Sequence, residues 1–292
     1  MSRSTRPQLR SEICLAAAAL AAGVLALSGQ QTSLVQPTQE SGQSVTPAYE
    51  GWFANPDGTF SILFGYFNRN TKQELDIPVG PANRIEPSGP DRGQPTHFLT
   101  RRQWGLFAVK VPKDFGKQKI TWSLTSNGKT NEIPAGLDPL WELAPFLDAT
   151  KNTPPYLAFA ADGPFANGPL GTVKDLSVVL PDPVTLDLWT ADDASVVPGA
   201  VRPRTPAVTL AWSKYRGPGA VRFVNERPSI EAVPLKAPAT VFTGKASTTA
   251  TFSEPGEYTL RIQANDWSGD GGRGFQCCWS NAQVKVSVKP AR

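Results

Sequence analysis

Proline punctuates this chain from end to end, 28 residues of it in 292, and 25 glycines fall among them. A proline inside a helix costs about 3 kcal/mol, because it removes a backbone donor and its ring strikes the preceding turn. Long helices are therefore disfavoured over most of the sequence. What such a chain can build is many short strands joined by tight turns. Hydrophobic residues at 40% and 8 tryptophans supply ample core material, and the length suits one large or two small domains.

Alternation locates the strands. The turn Asn55-Pro56-Asp57-Gly58 leads into a β-rich run over 59–67. Residues 75–79 read as a short strand. Residues 84–94 read as a loop, because they hold three Pro or Gly clusters. Phe107, Val109 and Val111 share one side of the run 104–111, and Ile120, Trp122 and Leu124 share another face. Asn127-Gly128 signals a hairpin. In the second half, strands are expected at 175–180, 184–190, 208–212, 220–224, 240–243, 247–253, 258–264 and 283–288. Thr249, Thr251 and Ser253 face one way, Ala250 and Phe252 the other.

The predicted order is thus a signal peptide (1–28), a flexible tether (29–48), a β domain (49–135), a Pro-rich connector (136–173) and a second β domain (174–292). The signal rests on Arg3, Arg6 and Arg10 ahead of an uncharged apolar run, 13–27, that ends in Ala26-Leu27-Ser28. The run is short of the roughly 20 residues that span a bilayer. The chain is therefore expected to be secreted or periplasmic, or membrane-anchored if the segment is not cleaved. The connector carries one short helical turn, Asp138 to Leu143, and one strand, 156–160.

The last part of the chain carries a resemblance. Phe252-Ser253-Glu254-Pro255-Gly256-Glu257-Tyr258 turns into the alternating Thr259-Leu260-Arg261-Ile262-Gln263-Ala264, which stops at Asn265-Asp266. Val284-Lys285-Val286-Ser287-Val288 closes the chain. This pattern resembles a PKD-like or cadherin-like module of the immunoglobulin fold. The resemblance implies a β-sandwich in which Pro-Gly makes the corner and Tyr258 packs inward while its hydroxyl caps backbone. It implies no activity. Residues 111–128 repeat the order of turn, alternating strand and Asn-rich stop. The expected fold is all-β: two tandem immunoglobulin-like sandwiches joined by a Pro-rich irregular segment.

Composition excludes several chemistries. The formal charge is +4, of which the leader holds +2, and no basic face of the kind nucleic acid needs is evident. His97 is the single histidine, set in a Pro/Gly-rich loop, so a Ser-His-Asp or Cys-His device has little to work with. Zinc or type 1 copper would need more His or Cys, so no metal centre or cofactor is called for. Glu86, Asp91, Asp138, Glu142, Asp192, Asp193 and Asp270 are the acids available for hydrolysis, and no spacing singles out a pair. Asn265, Asp266 and Asp270 offer oxygen ligands for calcium, without the spacing of a known loop.

Cys277-Cys278 is the most unusual feature. Beyond the leader these are the only cysteines. They are two unpaired thiols, a vicinal disulfide, or a metal or intermolecular site. The loop 269–274 and Trp279 beside them frame a ligand or else border a core aromatic. Of the eight tryptophans, Trp141 and Trp267 fall in the least regular segments and are the candidate ligand-contact aromatics. The reading is an exported non-catalytic binding or structural module with a protein or polysaccharide partner at the cell envelope. The alternatives are a carbohydrate-active or other hydrolase on a sandwich scaffold, and a redox or metal role for the paired cysteines.

Overall fold

The computed structural model describes residues 39–87, 89–149, 151–196, 199, 201, 203–268 and 278–291, and 39–292 fall in one compact unit. The first half contributes β1 (Val45–Ala54), β2 (Phe60–Asn68), β3 (Leu75–Asp76), β4 (Asn83–Glu86), β5 (His97–Phe98), β6 (Arg101–Val111), β7 (Ile120–Ser126) and β8 (Lys129–Ala135). A 3-10 turn, Pro139–Trp141, follows. The second half contributes β9 (Tyr156–Ala158), β10 (Thr172–Val179), β11 (Val184–Asp192), β12 (Thr209–Arg216), β13 (Val221–Phe223), β14 (Glu231–Ala232), β15 (Phe242–Phe252), β16 (Gly256–Asn265) and β17 (Trp279–Lys289).

The first sandwich packs the sheet β1-β2-β6 against β4-β7-β8. Its core holds Ile62 and Phe64 together with Phe107, Val109, Ile120, Trp122 and Leu124, the last five being the apolar faces read from the alternation. Asn127 and Gly128 both take positive φ, 46° and 73°, and join β7 to β8 as a two-residue hairpin. Trp122 is fully buried, and its indole N–H reaches Asn83 Oδ1 at 3.0 Å. That bond anchors β4 at Asn83, so residues 84–86, read as loop, are strand. The stretch 39–48 is likewise ordered rather than a tether. Gln43 N donates to Asn70 Oδ1 at 2.7 Å, and β1 starts at the buried Val45. A polar segment without period is held here by amide hydrogen bonds, with Val45 packed into the core.

The second sandwich has the immunoglobulin strand order. β9-β11-β15-β13 corresponds to strands ABED, and β12-β16-β17 to CFG, with β10 added in parallel to β17. Trp212 lies buried on the C-equivalent β12, and Leu186, Leu188, Leu260, Ile262, Val284 and Val286 fill the core around it. Leu260 stands two residues after Tyr258, where antibody domains place the second cysteine of their bridge. Aliphatic packing replaces the disulfide. The strands expected at 240–243 and 247–253 are one continuous strand, β15. Gly244 does not break it. A Cβ there would press on Ile230 and lie 2.8 Å from Glu231 O, so the glycine admits β14 at close range.

Tyr258 is 2% exposed, accepts from Gly219 N at 3.0 Å and donates to Glu254 O at 2.8 Å. The ring fills the core while the hydroxyl ties the corner. Tyr258→Phe should lower unfolding stability by about 1–3 kcal/mol, because the buried Gly219 N–H loses its acceptor. Urea denaturation at neutral pH measures this. An unchanged midpoint would remove the corner from the account of stability.

The two sandwiches share a polar seam. Tyr215, at the end of β12, lies in the core of the first sandwich and donates to Gly93 O. Arg216 grips Asp91 through both terminal nitrogens at 2.8 and 3.0 Å, and its Nε donates to Gln94 O at 2.7 Å. Thr96 N donates to Tyr215 O at 3.1 Å. At the other end, Asn281 Nδ2 and Trp279 Nε1 both donate to Gly105 O, at 2.7 and 3.4 Å.

Candidate functional site

Asp138 organises a groove on the first sandwich. Its carboxylate caps Leu140 N at 3.0 Å, its carbonyl accepts from Trp141 N at 2.9 Å, and Trp52 Nε1 donates to the same carbonyl at 2.7 Å. The turn is thereby fastened to β1. Gly51 makes the fit possible: its φ is +116°, and a Cβ would lie 2.7 Å from Leu143 Cγ.

The result is a presented aromatic. Trp141 is 49% exposed, with its ring 5.2 Å from that of Tyr49 at a tilt of 37°. Tyr49 donates to Gly136 O at 2.6 Å, and burial pushes its hydroxyl pKa up to about 12. It stays neutral at any working pH. Lys117, Gln118 and Lys119 line the same groove, of about 500 Å³. Among the described residues neither lysine has a carboxylate partner. A half-exposed indole beside two free ammonium groups suits a flat, hydroxyl-bearing and negatively charged ligand. The ring face takes C–H bonds and the lysines take the charge. The volume falls within the usual range of ligand sites.

Trp267, the second aromatic singled out, lies elsewhere. It follows β16 at the tip of the second sandwich, is half-buried, and donates to Thr205 O at 3.1 Å. Trp279 is buried on the seam against Gly105, so its place is packing. Cys278 is fully buried and disulfide-bonded, with Sγ 3.4 Å from Asn152 O. Cys277, Asp270 and the loop 269–274 lie outside the described residues.

His97 is held in a second, smaller cleft where β12 and β13 meet the loops of the first sandwich. Its Nδ1 is 2.9 Å from Asp76 Oδ1 and its Nε2 is 3.1 Å from Glu74 Oε2. Ser213 lines the same cleft. Both ring nitrogens face carboxylates, so neither is left to activate that serine. Lys214 Nζ joins the network at 3.0 Å from Asp76.

The acids cluster at one end of the second sandwich, which alternation alone did not reveal. Asp193 accepts from Thr153 N at 3.1 Å and from Thr153 Oγ1 at 2.8 Å, and Asp266 Oδ2 accepts from Asn152 Nδ2 at 2.6 Å. Asp192, 1% exposed, has one oxygen on Ala194 N at 2.7 Å, and its Oδ2 has no hydrogen-bond partner among the described residues. Burial pushes its carboxyl up to about 8, helped by the charges of Asp266 and Asp193. Burial also raises Asp266. Of the calcium candidates, Asn265 Oδ1 accepts from Gln263 instead. Among the described residues no group of three or more His, Cys, Asp or Glu is placed to hold a metal ion. Among the described residues no helix is long and apolar enough to cross a membrane.

No protein-family model matches the chain, and no curated protein matches it. Solved structures give distant likenesses. Domains 4 and 5 of the S-layer protein SbsC share 12% identity over 85% of this chain and 98% of that one, with a TM-score of 0.22. A titin structure shares 11% over 83% and 98%, with a TM-score of 0.23. CfaE, the adhesive subunit of the CFA/I fimbria of enterotoxigenic Escherichia coli, shares 8% over 88% and 82%, with a TM-score of 0.24. The immunoglobulin-like architecture stands on the strand order, the corner tyrosine and the buried Trp212.

Proposed function

We propose that this chain is an exported, non-catalytic binding module that takes an acidic polysaccharide at the cell envelope in the Trp141 groove. The observation that carries the reading is the half-exposed indole of Trp141, seated on Tyr49 in a groove that Lys117 and Lys119 also line. Export follows from the basic and apolar leader with its small-residue stop at Ser28. The Pro255-Gly256-Glu257-Tyr258 corner supports reading the second sandwich as a PKD-like or cadherin-like module. In this reading the second sandwich is a rigid support and the first carries the ligand.

The test is retention of the full chain on immobilised acidic and neutral polysaccharides. Trp141→Ala should weaken retention at least tenfold. Its thermal stability should stay within about 0.5 kcal/mol of the parent, as expected for a surface side chain. Lys117→Ala with Lys119→Ala should remove the salt dependence. Undiminished retention of Trp141→Ala would overturn the groove. A chain that binds no polysaccharide at all would sink the reading.

A further inference from the structure

Arg261 is anomalous among the cations of the seam. Arg102 has Glu50, Lys214 has Asp76 and Arg216 has Asp91. Arg261, 3% exposed in the middle of β16, has no carboxylate within ion-pair distance among the described residues. Its hydrogen bonds go to neutral amide oxygens. Nε and Nη2 donate to Asn281 Oδ1 at 3.1 and 2.7 Å, and Nη1 donates to Gln263 Oε1 at 3.3 Å. These take up three of its five N–H groups. Glu50, the acid whose charge it feels, is already committed to Arg102 and to Gly105 N. Burying an uncompensated guanidinium is costly, and the cost is explained when an anion completes the site.

The cation is also aimed. Asn281 spends its amide N–H groups on Gly105 O and Pro169 O, so its oxygen is fixed toward the guanidinium. Arg261 lines the His97 cleft, a cavity of about 210 Å³, together with Gln263, Gln103 and Ser213. That volume is about seven waters at ~30 Å³ each. It admits one sugar acid or hydroxy acid and no polymer.

We propose that this cleft binds a small, singly charged carboxylate ligand, with Arg261 as the anchor and Gln103, Gln263 and Ser213 taking its hydroxyls. A carboxylate matches the planar fork of a guanidinium through two parallel bonds. The other carboxylates and cations of the lining, Glu74 and Glu226 against Lys214 and Arg227, offset one another, so Arg261 leaves the cleft one net positive charge, which suits a singly charged anion. This site is independent of the Trp141 groove.

Titration calorimetry on the full chain tests it with acetate, lactate and glucuronate, using glucose and inorganic phosphate as controls. At least one of the three carboxylates should bind, tenfold or more tighter than either control. Arg261→Gln should lose that difference, and so should Ser213→Leu, which narrows the cleft with Arg261 intact. Ser213→Leu is the deciding variant if the Arg261→Gln chain does not fold. No heat from any carboxylate at high millimolar concentration would overturn the proposal. So would equal binding of the controls, or full affinity in either folded variant.

Discussion

Asp192→Asn should make the protein more stable at pH 7 than its parent, by roughly 2–4 kcal/mol, and should flatten its stability against pH. The carboxyl sits at about 8 in the folded chain and near ~3.9 when unfolded. Between those values the folded chain keeps a proton that the unfolded chain releases. Stability therefore falls as pH rises from about 4 through 8. It is fully present below the lower value. Asparagine is neutral throughout, so the variant escapes the loss. Its amide can donate toward Asp266 or Asp193, the neighbours whose charges raise Asp192. At about 2–4 °C per kcal/mol for a unit of this size, the midpoint should rise by about 5–15 °C at pH 7. Thermal unfolding of both chains at pH 5, 6, 7 and 8 is the measurement. A parent curve that stays level across that range would refute the buried proton.

Gly105→Ala should cost about 2–5 kcal/mol, the sum of left-handed strain and overpacking. Gly105 has φ +52°, and a Cβ would land on the indole of Trp279. The backbone of Gly105 is also the junction of the seam, with its N–H on Glu50 and its carbonyl on Trp279 and Asn281. Displacing Trp279 shifts the first residue of β17 and loosens one sandwich from the other. The parent should melt in one calorimetric transition and the variant in two. A single transition at an unchanged midpoint would show that the seam yields without cost.

Much of each sandwich was legible because the signal is local. Ile120, Trp122 and Leu124 alternate within five residues, Asn127-Gly128 encodes its own hairpin, and Pro255-Gly256 with Tyr258 encodes a corner. The exposure of Trp141 was legible for a similar reason, since prolines on both sides of it leave no strand to bury it. The seam was not legible. Gly105 meets residues 174 and 176 positions away in Trp279 and Asn281, and Tyr215 enters the core of the other sandwich. Nothing in a two-residue period says which side of a strand faces a second domain. Arg261 illustrates this. It occupies an outward-facing position in an alternating strand, the pattern of a solvated charge, yet is buried because the first sandwich covers that face. The acid cluster escaped because it joins distant stretches of one sandwich: Asp192 and Asp193 lie at the end of β11 in one sheet, and Asp266 follows β16 in the other.

The parallel pairing of β10 with β17 has a mechanical consequence. Their register runs unbroken from Thr172 opposite Ala282 to Val179 opposite Lys289. Parallel strands drawn apart along their length, one by its start and the other by its end, load every rung of the ladder at once. An antiparallel hairpin pulled at its two open ends gives way one rung at a time. Tension between the connector and the end of β17 would meet this ladder in shear, so the second sandwich should yield abruptly and at high load.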